Sequence, residues 1–114
     1  MIQADGMEDS NYFKNYVDHY NFKSEKYGKS ALFENEHLFV GMNCMEPGQA
    51  MEKHAHDDQC RFYLVLSGNA HVWVGNEEKT ISEGTVIWVP PHHLHKIVNE
   101  GSSRLVLLVG FNNF

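Results

Sequence analysis

Three things are scarce in this sequence, and each scarcity excludes something. Cysteine occurs only twice in 114 residues, as Cys44 and Cys60. Two thiols are too few to staple a small secreted scaffold, so both are expected to be reduced. Basic residues are few, 9 Lys and Arg against 15 Asp and Glu, for a formal charge of -6. Nucleic acid and anionic membrane surfaces need a basic footprint, so neither is an expected partner. Long apolar runs are missing. No stretch approaches the roughly 20 residues that span a bilayer, and "MIQADGMEDS" lacks the basic start and apolar run of a signal peptide. A soluble, cytoplasmic protein is the expectation.

What is present is a globular composition, 42% apolar, at a length that suits one domain with its own core. The first thirty residues differ from the rest. In "NYFKNYVDHYNF", Tyr12, Tyr16 and Tyr20 recur every four residues, which suits a short helix, though the aromatic content also suits a strand. "YGKS" resembles the end of a phosphate-binding loop, but Lys23 stands where that motif needs its first glycine. From Ala31 onward the chain reads as short strands broken by turns: "HLFVGMNCM" before a Pro-Gly turn, "RFYLVLSG", "NAHVWVGNE", "TVIWVPP", "HKIV" and "RLVLLVGF". Ala70, Val72 and Val74 share one face of their strand, His71 and Trp73 the other. Seven or so strands at this spacing predict an antiparallel sandwich or barrel over 31–114, preceded by an extension over 1–30.

Five of the eight histidines fall in two short clusters, His54 and His56, then His92, His93 and His95. On extended backbone, His54 and His56 put two imidazoles on one face. Neutral imidazole suits zinc, copper, iron and nickel. A third nitrogen is wanted from another strand, and His95, beyond Pro90-Pro91, is the best candidate. The bland alternative, surface or hydrogen-bonded histidines, must account for both the spaced pair and the separate cluster.

These residues resemble the motifs of the cupin superfamily. Gly48, five residues, His54-Ala55-His56, four residues, Arg61, six residues and Gly68 follow its first motif. Gly84, "TVIWV", Pro90-Pro91-His92, two residues, His95, "KIV" and Asn99 follow its second. Two positions depart: Arg61 stands for a glutamate and His92 for a glycine. The resemblance covers about half the chain, from Gly48 to Asn99. It implies an all-β double-stranded β-helix of the jelly-roll kind, often dimeric, with one divalent metal ion (iron, manganese, nickel or zinc) at its open end.

Arg61 has no lone pair to give a cation. The fourth ligand must be absent or different. Inward parity on "RFYLVLSG" gathers Arg61, Tyr63 and Val65, and extends back to Gln59 but not to Cys60. Gln59 offers a carbonyl oxygen, and "HxHxxQ" before a basic residue is similar to a variant seen among cupins, so Gln59 is the favoured fourth ligand. A Cys60 thiolate, or no protein ligand with Asp57 and Asp58 solvated, are the alternatives. Arg61 either binds an anionic group of a ligand in the cavity, pairs with an acid such as Asp58, or turns to solvent at a bulge. Tyr63 and Trp88 are cavity candidates. His92 and His93 belong at the barrel mouth, Asn99 in a turn. Phe62 and Trp73, facing outward, suggest a homodimer.

Function is then open between classes. A metal-dependent enzyme of oxygenase, isomerase or lyase type, acting on a small carboxylate-bearing molecule, fits an open coordination sphere. A non-catalytic module holding a metal or small ligand fits the want of an evident general acid or base. A dimeric structural protein with a vestigial site is the third reading.

Overall fold

A computed structural model describes residues 9–56 and 58–113. Eight strands follow one another: β1 (Gly28–Glu34), β2 (Leu38–Met45), β3 (Arg61–Ser67), β4 (Asn69–Val74), β5 (Glu77–Ser82), β6 (Val86–Val89), β7 (His95–Val98) and β8 (Leu105–Asn112). They form a five-stranded sheet in the order β1-β2-β8-β3-β6 and a three-stranded sheet in the order β5-β4-β7. Every paired neighbour is antiparallel. This is the all-β double-stranded β-helix, with a short N-terminal segment. Among the described residues no helix is long and apolar enough to cross a membrane.

The unbroken apolar run of β8 has a physical reason. The strand is buried on both faces, so alternation is lost. Leu105, Leu107 and Val109 pack between the sheets with Tyr63, Val65 and Ile97. Val106 points the other way, onto Leu32, Met42 and Cys44. The N-terminal segment covers this second cluster, with Tyr16 and Phe22 packed against it. Four side-chain hydrogen bonds fasten the segment: Lys14 Nζ to the Leu32 carbonyl at 2.8 Å, Asn21 Nδ2 to the Lys29 carbonyl at 2.7 Å, Ser30 Oγ to the His19 carbonyl at 2.5 Å, and Gln49 Nε2 to the Lys23 carbonyl at 2.8 Å. The helical reading of its tyrosines reduces to one 3-10 turn, Tyr16–His19, capped by the Asn15 side chain. Strand pairing itself begins at Gly28.

The motif glycines Gly48, Gly68 and Gly84 all take left-handed backbone, at φ of 88°, 89° and 90°. No side chain sits easily there, which explains glycine at these turns. His92, the residue standing for a motif glycine, keeps the same hand at φ 67°. The loop geometry thus survives the substitution.

Candidate functional site

His54 lies in the stretch before β3 and is joined to His95, the first residue of β7, by an isolated antiparallel bridge. Their backbones exchange two hydrogen bonds, at 3.1 and 2.9 Å. The bridge is why two histidines 41 positions apart meet. Their ring centroids are 4.2 Å apart; His56 lies 4.9 Å from His54 and 6.2 Å from His95. His92 N donates to the His56 carbonyl at 2.9 Å, tying the loop after β6 to the same place.

His54 and His56 line a cavity of about 330 Å³, and His95 stands just behind them against His54 and the Tyr63 hydroxyl. Arg61 and Tyr63 of β3 line it, with Met51 behind them and Phe39 and Phe111 beside them. Phe39 and Phe111 are register partners on β2 and β8 whose rings stack at 4.7 Å. The Arg61 guanidinium carbon lies 4.5 Å from the Phe111 ring centroid. That holds a planar cation flat against an aromatic face.

Polar contacts link the cavity residues. Arg61 NH1 donates to the Tyr63 hydroxyl at 3.3 Å, and Arg61 NH2 to Gln59 Oε1 at 2.9 Å. The Tyr63 hydroxyl stands 3.1 Å from His95 Nε2. His54 Nδ1 lies 2.6 Å from the Glu52 carbonyl. A carbonyl only accepts, so Nδ1 carries the proton and Nε2 keeps its lone pair. His95, 1% exposed, has its pKa lowered to about 4, first by burial, then by the charges of His54 and Arg61. Its ring is therefore neutral near pH 7. Burial raises the Tyr63 pKa against the opposing pull of Arg61, so that hydroxyl keeps its proton.

His54, His56 and His95 thus meet, together with Arg61 and Tyr63. Among the described residues, however, no three His, Cys, Asp or Glu side chains stand in a ready metal-holding arrangement. The bonds of His54 to Glu52 and of His95 to Tyr63 engage one nitrogen of each ring. Gln59 is half-buried but does not line the cavity, and Arg61 holds its carbonyl. Cys60 is also off the cavity, with its backbone N bonded to Asn112 Oδ1 at 2.7 Å. Asp57 lies outside the described residues. Of the three readings of Arg61, the cavity one describes its position: it is half-buried, and no carboxylate among the described residues pairs with it.

Trp88 is elsewhere. On β6, Ile87 and Val89 point inward while Val86 and Trp88, 62% and 61% exposed, point out. Trp88 lines a larger cleft of about 710 Å³ between β6 and the β4–β5 pair, together with His93 and Glu77. Trp73 is outward-facing as expected, but His71 and Lys96 lie against its ring. Asn99 is a fully buried turn residue, donating to the Met45 and Ser103 carbonyls. Sequence reasoning missed Lys29 and Asn43, which line the histidine cavity from β1 and β2. Only strand register reveals them.

A model of the Cupin domain family matches residues 41–111. A crystal structure from Thermus thermophilus superimposes on 89% of this chain and 96% of its own, with a TM-score of 0.85 and 29% identity. A candidate sugar phosphate isomerase of Acidithiobacillus ferrooxidans matches 68% of this chain and 51% of its own, with a TM-score of 0.64 and 30% identity. The mannose-1-phosphate guanylyltransferase RfbM of Salmonella typhimurium is 26% identical over 83 residues, 72% of this chain but only 17% of that protein's length.

Proposed function

The chain belongs to the Cupin domain family, and from that premise we propose that it binds one divalent metal ion and a small organic anion in the cavity of His54, His56, His95 and Arg61. One observation carries the reading. Two imidazoles, His54 and His56, and the Arg61 guanidinium line one cavity whose described lining includes no carboxylate, and the His95 ring lies 4.2 Å from that of His54. The donor set suits a metal of the iron, manganese, nickel or zinc kind. The His54 tautomer leaves Nε2 open, and His95 is neutral near pH 7, the state that ligates. Gln59 can complete the shell once its carbonyl leaves Arg61. A bound divalent ion would supply Lewis acidity to a ligand oxygen.

The other residues bind and orient. A fixed cation beside a divalent ion is costly in a water-poor cavity unless an anion neutralises both. Arg61 can meet a carboxylate or phosphate in two-point fashion, and Tyr63 can offer its hydroxyl beside it. The names of two relatives, a candidate sugar phosphate isomerase and a mannose-1-phosphate guanylyltransferase, favour phosphorylated sugars as probes beside small carboxylates. An isomerase, lyase or oxygenase is one outcome. A binding module without catalysis is the second reading, favoured by the want of a carboxylate among the described lining residues to act as acid or base. Val86 and Trp88, adjacent on the outer face of β6, support a homodimer, which sedimentation at micromolar concentration would check.

The deciding experiment is anaerobic purification with elemental analysis of the wild type and of His54→Ala, His56→Ala and His95→Ala. One equivalent of metal in the wild type and strong loss in each folded variant is expected. Full retention in all three would end the site assignment. Turnover of a carboxylate or phosphosugar by the loaded protein separates enzyme from binding module.

A further inference from the structure

Lys29 and Asn43 reach the histidine cavity from a side that neither histidine motif supplies. They are register partners on β1 and β2, and both line the cavity. Asn43 shares its facing with Met45, which packs between the sheets. It is 6% exposed, and its amide makes no hydrogen bond among the described residues. The amide is not among the buried groups left without a partner, so it keeps contact with the water of the cavity it lines, where a ligand oxygen can replace that water.

Lys29 pairs with no carboxylate among the described residues. Its ammonium lies 5.7 Å from the centroid of the Tyr27 ring, which also lines the cavity. On that same tyrosine the Arg61 guanidinium acts electrostatically, opposing the rise that burial gives its pKa. Backbone to backbone, β1 and β3 are three strand spacings apart, about 14 Å. Lysine and arginine on strands at that separation suit a short ligand whose acidic groups are a few carbon atoms apart. The cavity volume, at the small end for ligand pockets, agrees.

We infer that Lys29 and Asn43 form a second subsite of this cavity, which selects an organic dianion: one acidic group on Arg61, the other on Lys29, and a hydroxyl or carbonyl between them on Asn43. The inference rests on the anionic-ligand reading above and adds a second charge and a hydrogen-bonding centre. Lys29 lies at the exposed mouth, so its selectivity is modest and salt-sensitive.

The test is titration calorimetry of the protein as isolated, at low salt, with matched acids: butyrate and succinate, pentanoate and glutarate, hexanoate and adipate. The members of a pair differ only in the second charge. In at least one pair the dianion should bind about fivefold more tightly. Lys29→Met should abolish that preference while monoanion binding persists, and Lys29→Arg should keep it. Malate against succinate reads Asn43: Asn43→Val should lose the preference for malate, while the thermal midpoint of the ligand-free protein holds or rises. 2-Phosphoglycolate against succinate reports whether phosphate or carboxylate is the preferred second acid. Equal binding within all three pairs, or an unchanged preference in Lys29→Met, overturns the inference and leaves the anion reading standing. If no acid of either charge binds, both fall. A marked drop of the ligand-free midpoint in Asn43→Val would make Asn43 a structural residue and remove it from the subsite.

Discussion

Arg61 NH2 donates to Gln59 Oε1 at 2.9 Å. The arginine that departs from the family motif thus holds the carbonyl proposed above as the fourth ligand. In the proposed site, metal and anion then assist one another, in part, through these two residues. An anion that draws the guanidinium away releases the Gln59 oxygen, and a metal that takes the oxygen releases the guanidinium. Gln59→Ala should therefore lower metal affinity by about tenfold, the lower range for loss of a supporting or weak ligand. Cys60→Ser should leave it nearly unchanged, because the residue next to Arg61 takes the opposite facing on extended backbone, whereas Gln59 shares that of Arg61. Competition against a chromophoric chelator measures both. The opposite order of effects would hand the fourth position to Cys60.

Tyr63 joins the two halves of the site. Its hydroxyl accepts from Arg61 NH1 at 3.3 Å and stands 3.1 Å from His95 Nε2, within a fully buried side chain. Tyr63→Phe keeps the ring in the core and deletes only the hydroxyl. Folding stability should fall by about 1 kcal/mol, the usual net worth of such a bond. Anion affinity should fall as well, since the guanidinium loses one of its two anchors. Urea unfolding with an unchanged slope, together with carboxylate titration, gives both numbers. An unaltered carboxylate affinity would show that Arg61 is positioned without Tyr63.

What could be read before the structure divides along physical lines. His54 and His56 were legible because a two-residue spacing fixes facing on any extended backbone. His95 was legible because motif spacing placed it, and the bridge to His54 realises that spacing. Trp88 was misplaced because "TVIWV" is apolar on both parities, which leaves facing ambiguous; Trp88 lies on the outer face of β6, at the edge of its sheet. Lys29 and Asn43 could not be seen. Their common facing follows from the β1–β2 register, which the bulge between Ala31 and Phe33 shifts by one residue. Arg61 lay between these cases: its charge excluded ligation at once, while its stacking on Phe111 depends on a strand 50 residues away.

The His95 ring sets a pH response in the metal-free protein. Its folded pKa, lowered to about 4, lies below the ordinary 6.5 that it regains on unfolding. Above 6.5 the ring is neutral in both states and costs nothing. Between 6.5 and 4 the unfolded chain takes up a proton that the folded chain refuses, so stability falls as pH falls. Below 4 this loss is complete. Urea midpoints of chelator-treated protein should decline from pH 7.5 to pH 4, and His95→Gln should flatten that part of the decline. Equal slopes in the two proteins would place the titration elsewhere.

His92 tests whether the departure in the second motif carries a backbone cost. The residue sits at φ 67°, a conformation that costs an L-residue about 1 kcal/mol or more and costs glycine little. Replacing the imidazole removes whatever it contributes, so a single substitution would mix two effects. His92→Ala and His92→Gly both remove it and differ mainly at the backbone. At an ordinary φ the alanine variant would be the more stable, because glycine leaves a freer unfolded chain. Here the order should invert, with glycine more stable by about 1 kcal/mol, equivalent to roughly 4 °C in Tm for a domain of this size. The sign of the difference is the readout. If alanine is the more stable, the loop after β6 relaxes away from the left-handed turn. The backbone bond from residue 92 to the His56 carbonyl should then weaken in the alanine variant, and exchange of that amide no faster in the alanine variant than in the glycine variant would contradict that relaxation.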